Sequence, residues 1–585
     1  MHSSRYKTGL RVRNVIVCAL ASGLAAALPL ISRSNQDVKD AAIDVLTNRY
    51  DNWRSGANLR ESQLTVQNVN TASFGKLFER QVDGDTYAQP LIKTNVRIPG
   101  IGPRNIAYVA TTNNHLYAFD ADRPGEGDPY WQVGSEVFGN PVPRAEVSDL
   151  KPPDEYLNFE HNIGIVSTPV IDDANNTIYV VAKSKCGNGY CNRLFAFDIA
   201  TGRQKTELGS PALFAPTAVG NGVGNVDGKV TMDARKLFNR TALLLQDGVL
   251  YIAFGAHGDG EPRFNYHGWI LAYDAHTLKQ LAALCTTPDG IQGGVWQSGA
   301  GLAAEPRDGT FPVIYAVVGN GSTSGRNFGQ SVLQLYPGEL MSVKQSFTPA
   351  SAEEMNDLDF DLSSGPLLFP DLPFMLACTK DGKCYVLDRS NMRLVQELQA
   401  GTNSVGSGRA ANIHGTPVAW RDANNNLFIY LWPEEDYLRA YRFDGKRFVS
   451  AGRSPFPSPM MSMPGGMLTL SANGGAPASS IVWASIPRDG DANNGTVEGV
   501  LRAFSASDLS HEIWNSEQNA SRDRLGMFPK FCPPVVANGK VYIPSFSSPN
   551  KTPNPDKGKL VVYGLLPKQS ASTANVTQQS ASISK

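Results

Sequence analysis

Three carboxylates recur at alternate positions in the stretch EMNDLDFDLSSGPLL, at Asp357, Asp359 and Asp361 of a 585-residue chain. Side chains two residues apart lie on one face of an extended strand, so these acids would be close neighbours. Such a cluster can bind a cation or exchange protons with a substrate, and it needs a cation or an arginine nearby. The same alternation is also typical of the solvent side of an ordinary strand. The choice depends on where the architecture places the stretch.

The overall charge of the chain is balanced, with 53 Lys and Arg against 54 Asp and Glu. This balance argues against nucleic acid or an anionic membrane surface as the main partner. Glycine (55 residues) and proline (38 residues) are frequent. A composition so rich in turn residues favours an all-β fold.

The N-terminus has the pattern of a secretory signal. Four basic residues precede an apolar stretch at 15–30, which is short for a membrane span. We predict a signal peptide over residues 1–34, and an uncleaved anchor is the alternative. The sequence has no second long apolar run, so we expect no membrane span after signal removal. The expected location is extracellular, or periplasmic if the source is bacterial.

Cysteine spacing agrees with export into an oxidising compartment. Cys186 and Cys191 flank a short turn, as do Cys378 and Cys384, so each pair is predicted to form a disulfide across a hairpin. Elimination leaves Cys285 and Cys532 as a third pair. Several N-x-[ST] sequons predict a glycoprotein if the host is eukaryotic, at Asn175, Asn239, Asn320, Asn494, Asn519, Asn550 and Asn575.

One phrase recurs eight times: an apolar strand, a turn, and a strand that ends in an aromatic residue followed by Asp. Five copies keep the Asp and three are degenerate; the retained residues are Asp120, Asp198, Asp274, Asp388 and Asp444. A short strand of small residues and proline precedes most copies, and a fourth strand follows several. Four strands repeated eight times predict an eight-bladed β-propeller of four-stranded antiparallel blades. Two separate sandwiches are the alternative.

The repeat also sets the predicted domain layout. Residues 35–73 form a lead-in that packs on the propeller, residues 74–566 form the propeller, and residues 567–585 are a disordered polar tail. The last copy lacks an outer strand. The stretch FGKLFERQV at 74–82 is predicted to supply that strand from the N-terminus and to close the ring, because an open array would leave a sheet edge unpaired.

The loops that lead into the innermost strands of a propeller converge on one end of its axis. Here they carry mixed charges and aromatic rings, including Glu160, His161, Arg240, Trp296, the three acids from Asp357 to Asp361, Arg409, His414 and Lys530. A polar funnel with aromatic walls predicts a small-molecule site in a monomer. The alternative is that the loops only hydrogen-bond to one another and plug the channel.

The sequence resembles a known family at two places. Asp198 to Gly202 (DIATG), after an Ala-aromatic dipeptide, resembles the repeat of pyrroloquinoline-quinone (PQQ) dehydrogenases, and NVNTASFGKLFERQVDGDTYAQPL resembles the opening of secreted PQQ-repeat proteins. The resemblance covers residues 74–566 and implies the quinoprotein alcohol dehydrogenase-like propeller. It also implies PQQ and Ca²⁺ as cofactors.

The resemblance also implies roles for individual residues. Trp296 in QGGVWQSGAG matches the floor under the quinone, and Asn320 in YAVVGNGS matches a calcium ligand. Asp359 in LDFD matches the catalytic base and a metal neighbour, with Asp361 beside it as a further metal ligand. Glu160, His161, Arg409 and Lys530 are the expected cofactor-binding residues of the funnel.

The chain also departs from the family pattern. It has no adjacent pair of cysteines and no C-x-x-C-H motif, and Arg263 falls near the place of the glutamate calcium ligand, with Glu261 two residues away. The sequence therefore predicts a quinoprotein-like oxidoreductase that acts on a hydroxyl group of a small organic substrate. The alternatives are a non-catalytic propeller that binds a partner or polymer, and a propeller enzyme that acts without a quinone.

Overall fold

The repeated hairpins form eight four-stranded antiparallel sheets that follow one another along the chain. The computed structural model describes residues 42–147, 157–258, 265–306, 312–336, 341–402, 411–493, 495–549 and 557–567. The predicted signal peptide at 1–34 and nearly all of the predicted tail lie outside these residues. The eight-bladed propeller fold predicted from the repeat is confirmed. No helix in the described ranges is long and apolar enough to cross a bilayer.

We number the blades 1 to 8 in chain order. The innermost strands are Leu91–Ile98, Val170–Asp172, Leu244–Gln246, Ala303–Glu305, Leu367–Leu368, Val418–Arg421, Met467–Ser471 and Val535–Ala537. The second strands are Gly102–Thr111, Thr177–Cys186, Val249–Ala256, Val313–Val318, Phe374–Cys378, Leu427–Leu431, Ile481–Pro487 and Lys540–Ser545. The third strands are His115–Asp120, Gly189–Asp198, Trp269–Asp274, Ser331–Tyr336, Lys383–Asp388, Tyr437–Phe443, Glu498–Ser505 and Lys559–Leu565.

The outer strands of blades 1 to 7 are Trp131–Val133, Ala212–Leu213, Gln280–Cys285, Ser342–Phe347, Leu394–Gln399, Phe448–Pro457 and Asp508–Asn515. Blade 8 takes its outer strand from the start of the chain, since Phe74–Gln81 pairs antiparallel with Lys559–Leu565. This pairing closes the ring as the sequence predicts. It satisfies the backbone groups of what would otherwise be an exposed edge.

Several short elements lie outside the regular blade pattern. Paired strands outside it are Ala57–Asn58, parallel to Met467–Ser471 of blade 7, Val142–Pro143 with Asn162–Ile163, Thr217–Val219 with Lys229–Thr231, Leu237–Phe238 with blade 3, and Gly526–Met527 with blade 7. The α-helices are Ser135–Phe138, Arg144–Val147, Ala352–Asp357 and Ala520–Asp523, and the 3₁₀ turns are Thr206–Leu208, Gln297–Gly299 and Pro477–Ser479.

The recurring Asp of the sequence repeat ends the third strand and organises the turn after it. Asp120 Oδ1 accepts hydrogen bonds from the backbone N–H groups of Asp122 (2.8 Å) and Arg123 (2.9 Å). Asp198 Oδ1 accepts from Ala200 (3.1 Å) and Thr201 (3.0 Å) in the same way. The Asp side chain thus accepts hydrogen bonds from backbone N–H groups of the turn, which have no partner in the sheet. This role explains why Asp recurs at the end of the third strand.

The core lies between neighbouring blades. Ile106 and Tyr108 of blade 1 pack in one buried cluster with Ile178 and Val180 of blade 2. Full burial of each such side chain contributes about 1.5–3 kcal/mol. Side chains alternate between the two faces of each blade, and the two neighbouring blades cover these faces.

Residues 45–58, which we call the axial segment, run around the inner end of all eight blades. The bonds to blades 1 to 8, in order, are Val45 O with Ile92 N–H, Leu46 O with Ile171 N–H, the Asn52 amide with Leu245 O, Asn52 O with Ala304 N–H, Trp53 O with Leu368 N–H, Ser55 O with Ala419 N–H, Gly56 O with Leu470 N–H, and the Asn58 amide with Val536 O. The segment therefore ties every blade to one peptide.

Two buried arginines fix the axial segment. The Arg54 guanidinium is fully buried and donates to Leu302 O (2.8 Å), Asn48 O (2.7 Å) and Thr47 Oγ1 (2.9 Å). Arg49 donates to Pro417 O at 2.5 Å. Burial lowers the pKa of Arg54 to about 9, so the group remains a cation at neutral pH. Gly301 leaves the room that Arg54 needs, since a side chain there would meet the guanidinium.

The cysteine predictions are partly confirmed. Cys186–Cys191 and Cys378–Cys384 are disulfides. The predicted Cys285–Cys532 bond is wrong, because both residues are free, buried thiols. They belong to different blades, with Cys285 in the core between blades 2 and 3 and Cys532 bonded to Ala88 O of the blade 1 loop.

Replacing Arg54 with alanine should lower the free energy of unfolding by about 2–5 kcal/mol, because it leaves buried carbonyl groups without donors. Denaturant titration would measure the change. Arg60→Ala is the matched control, since Arg60 is exposed and its loss should cost no more than about 0.5 kcal/mol. Equal losses in the two variants would contradict the role given to the axial segment.

The thiols of Cys285 and Cys532 should not react with a maleimide in the native protein, and both should react in denaturant without a reductant. Burial causes this protection and raises the pKa of Cys285 to about 12. Peptide mass mapping distinguishes these two thiols from the four disulfide cysteines, which should label only after reduction. A Cys285–Cys532 peptide under non-reducing conditions would contradict the structure.

Candidate functional site

A cavity of about 270 Å³ lies where the loops lead into the innermost strands. Polar and ionisable side chains dominate its lining, which comprises Asn158, Arg240, His257, Gly258, Trp296, Ser298, Asp359, Asp361, Leu362, Ser363, Lys380, His414, Met463, Asn493 and Phe531. We call it the axial cavity. Asn48 and Arg49 lie below it, because they share a gap of about 20 Å³ with Ser298 and Phe531.

A larger cavity of about 390 Å³ lies between the axial segment and blades 5 and 6. Its walls are largely apolar, with Trp420, Phe369 and Leu427 among them. Two of the three acids of the sequence pattern, Asp359 and Asp361, line the axial cavity instead. We therefore place the candidate site in the axial cavity.

The alternation predicts that the three acids share one face of a strand. In the structure they do not. Asp357 is the last residue of the helix Ala352–Asp357, and Asp359 has a positive φ of 56°. The chain turns between them, so the Asp359 side chain is 64 % exposed whereas that of Asp361 is 5 % exposed. Aspartate is among the non-glycine residues that adopt the left-handed region most readily, so the chain can turn here without a glycine.

Lys380 supplies the cation that the acidic cluster requires. Its Nζ lies 3.0 Å from Asp359 Oδ2 and 2.7 Å from Asp361 Oδ2. Burial raises the pKa of Asp361, and the Lys380 charge opposes that rise. No sequence pattern marks this lysine as a site residue. It lies in the TKDGK hairpin turn, and the bridge between Leu362 and Thr379 brings that turn against the acidic loop.

Asn320 is held in one orientation by its neighbours. Leu362 N–H donates to Gln330 Oε1 (3.0 Å), so Gln330 Nε2 is the atom that donates to Asn320 Oδ1 (2.6 Å). Asn320 Nδ2 then donates to Asp359 Oδ1 (2.7 Å). Asn320 is only 5 % exposed, and its amide is fully used, which leaves no room for a glycan at this sequon.

These contacts test the predicted calcium site at Asn320, Asp359 and Asp361. Calcium takes six to eight oxygen ligands, but Asn320 presents its amide nitrogen to Asp359. The Lys380 ammonium already bonds to both carboxylates. The described part of the site therefore does not fit a calcium ion. Glu261 and Arg263, at the place of the family's glutamate, lie outside the described residues.

Trp296 lines the axial cavity and is packed against glycines on its inner side. Its Nε1 donates to Ala256 O at 2.8 Å. A side chain added at Gly319 would lie 3.1 Å from the indole and 2.7 Å from Asp361 Oδ1. Gly319 thus lets Trp296 and Asp361 approach each other. The structure brings these two predicted site residues together.

A second group of cavity residues is basic or aromatic. The Arg240 guanidinium carbon lies 3.9 Å from the centroid of the Phe531 ring. His414 Nε2 lies 2.9 Å from Glu434 Oε1, and both side chains are buried. The cavity therefore combines the acids of the blade 5 loop with the Arg240 guanidinium of blade 3 and with aromatic and imidazole groups of blades 8 and 6.

The remaining predicted cofactor residues are placed differently. Glu160 lies 3.8 Å from Arg144, and His161 Nε2 lies 3.1 Å from Ser547 Oγ, so their contacts are with the loops of blades 1, 2 and 8. Lys530 is buried behind the cavity wall. Arg409 lies outside the described residues.

No protein family model matches the chain, and no curated protein matches its sequence. Solved structures do share its fold. A quinohemoprotein alcohol dehydrogenase from Pseudomonas putida HK5 aligns with a TM-score of 0.55 at 14 % identity, over 89 % of this chain and 80 % of that one. The quinohemoprotein alcohol dehydrogenase of Comamonas testosteroni gives a TM-score of 0.54 at 13 % identity, over 91 % and 82 %.

A europium-containing methanol dehydrogenase gives a TM-score of 0.54 at 12 % identity, over 91 % of this chain and 99 % of that one. At these identities the similarity establishes the fold alone. The chain thus shares the propeller fold of two quinohemoprotein alcohol dehydrogenases and a methanol dehydrogenase.

Lys380→Met should destabilise the protein by about 3–5 kcal/mol, because it leaves the Asp361 carboxylate buried without its cation. Lys383→Met is the matched control on the same hairpin. Lys383 pairs with Asp381 and Glu397 at a partly exposed position, so its loss should cost about 0–1 kcal/mol. Added Ca²⁺ should leave the wild-type Tm unchanged. A Ca²⁺-dependent rise of the wild-type Tm would contradict the assignment of Lys380 as the site cation.

Proposed function

We propose that this protein is a quinoprotein-like oxidoreductase that acts on a hydroxyl group of a small organic substrate in the axial cavity. The observation that carries the proposal is the exposed Asp359 carboxylate on the cavity wall, paired with Lys380 and bonded by Asn320. A carboxylate accepts a hydroxyl proton when the substrate lies within hydrogen-bond reach.

The protein side of the reaction follows from these contacts. The substrate hydroxyl donates to an Asp359 oxygen and transfers its proton there as the carbonyl product forms. Lys380 Nζ lies 3.0 Å from Asp359 Oδ2, and Asn320 Nδ2 donates to Asp359 Oδ1, so the two contacts fix the orientation of the carboxylate. The Asp359 side chain is 64 % exposed, so a substrate in the cavity can reach it.

The axial cavity offers groups that fit a planar quinone acid. Trp296 provides an indole surface for stacking, and Arg240 and Lys380 provide cations for carboxylate or carbonyl oxygens. When bound, PQQ would supply the two-electron acceptor that takes the hydride from the carbinol carbon. Calcium has no part in this proposal, because the described residues do not fit it.

A second candidate is an enzyme that uses the same cavity without a quinone. The contact of Lys380 with both acids favours it, since an ammonium stands where the family resemblance implied a metal. In that case the Asp359–Lys380 pair exchanges protons with a small molecule and no dye is reduced.

We also propose that the protein is exported and acts as a monomer on a small molecule. The two hairpin disulfides support export, because such bonds persist in oxidising compartments. The nearly balanced charge supports a partner other than nucleic acid.

Reconstitution with PQQ tests the main proposal. Purified protein mixed with PQQ should show quenched tryptophan fluorescence and should reduce a dye with a panel of primary and secondary alcohols. Asp359→Asn should lower kcat by about 100-fold or more, because it removes the proton acceptor. Asp357→Asn is the matched control two residues away, at an exposed position, and should retain full activity.

The possible outcomes separate the candidates. No quenching at micromolar PQQ would overturn the quinone-dependent proposal and leave the second candidate. Full activity of Asp359→Asn would remove Asp359 from the proton-accepting role. Equal loss in both variants, with unchanged Tm, would contradict the assignment of a distinct role to Asp359.

A further inference from the structure

The charged residues around the axial cavity come from different blades. The acids among its described lining residues are Asp359 and Asp361 of the blade 5 loop, and Lys380 bonds to both. Arg240 and His257 come from blade 3. The cavity therefore presents carboxylates and a guanidinium to the same bound molecule.

Arg240 is arranged as a planar recognition group. Its guanidinium lies over the Phe531 ring, with 3.9 Å between the guanidinium carbon and the ring centroid. Phe531 has a positive φ of 65°, and its ring makes an edge contact with His414 at 6.0 Å. A guanidinium stacked on a ring keeps its N–H groups in the plane, where their fork geometry matches a carboxylate.

A buried lysine adds positive potential near Arg240 when it is protonated. Lys530 is 2 % exposed, and its Nζ donates to Asn158 O (3.1 Å) and Asn493 O (3.0 Å), two residues of the cavity wall. Burial, together with the nearby charge of Arg240, lowers the pKa of Lys530 to about 7 against the opposing effect of Asp491 and Asp85. An anion bound at Arg240 would reduce the repulsion between Arg240 and the Lys530 ammonium.

We infer that the Arg240–Phe531 stack is a carboxylate-recognition element, and that the molecule bound in the axial cavity is a carboxylic acid. This inference rests on the proposed function and extends it, because it names the substrate class as a hydroxy acid whose hydroxyl reaches Asp359. The carboxylate has two possible sources, the substrate itself and the quinone acid.

Binding measurements test the inference without turnover. The probes are 4-(hydroxymethyl)benzoate and 4-(hydroxymethyl)benzamide, which match in size and differ in charge, with PQQ as a separate arm. Calorimetry on the full protein should show the benzoate binding at least about 10-fold more tightly than the amide, as expected for a charge-assisted bidentate pair. Arg240→Gln should reduce the ratio to about 2-fold or less.

Two further variants keep the result interpretable. Arg235→Gln removes the same charge from an exposed position five residues away and should keep the full preference. Arg240→Lys keeps the charge but loses the planar fork, so its ratio should fall between those of the wild type and Arg240→Gln. The Arg240→Lys variant also provides the test if Arg240→Gln does not fold.

The two arms of the binding experiment, the benzoate–benzamide pair and PQQ, identify the source of the carboxylate. Preference for the benzoate over the amide supports a hydroxy-acid substrate. Tight PQQ binding that Arg240→Gln weakens, with no preference in the first arm, assigns the carboxylate to the quinone. No dependence on Arg240 in either arm overturns the inference. Carboxylate binding without any dye reduction would overturn the oxidoreductase proposal and leave this inference standing.

Discussion

The hydrogen bonds between the axial segment and the innermost strands are the constraint on which the rest of the structure depends. A propeller ring buries its apolar faces between blades, but each blade contacts only its two neighbours. A single peptide that bonds to all eight blades adds a connection that nearest-neighbour packing does not supply. Arg49 and Arg54 make this connection specific, because their donors reach carbonyl groups of separate blades.

The same segment lies next to the candidate site. Asn48 and Arg49 share a gap of about 20 Å³ with Ser298 and Phe531, two residues that also line the axial cavity. Loops held by such contacts can present a few side chains at fixed positions. Asp359, Lys380 and Trp296 are held in this way by hydrogen bonds, a disulfide-linked hairpin and glycine contacts.

The shared fold does not determine the site in this molecule. The chain aligns with two quinohemoprotein alcohol dehydrogenases and a methanol dehydrogenase over 89–91 % of its length, at identities of 12–14 %. In the axial cavity the cation beside the two acids is Lys380, and the Asn320 amide points its nitrogen at Asp359. The chemistry depends on such side chains and not on the propeller that presents them.

The sequence by itself determined the blade count, the closing strand and the two hairpin disulfides, because period-2 patterning, recurring turn residues and short cysteine spacings act over a few residues. It also placed Asp359, Asp361 and Trp296 in one funnel. It could not show that the chain turns at Asp359, that Lys380 is the partner of the acids, or that Arg240 stacks on Phe531. Those contacts join loops of different hairpins and blades. Only the tertiary structure decides them, because the register of loops across the axis depends on packing that no local pattern records.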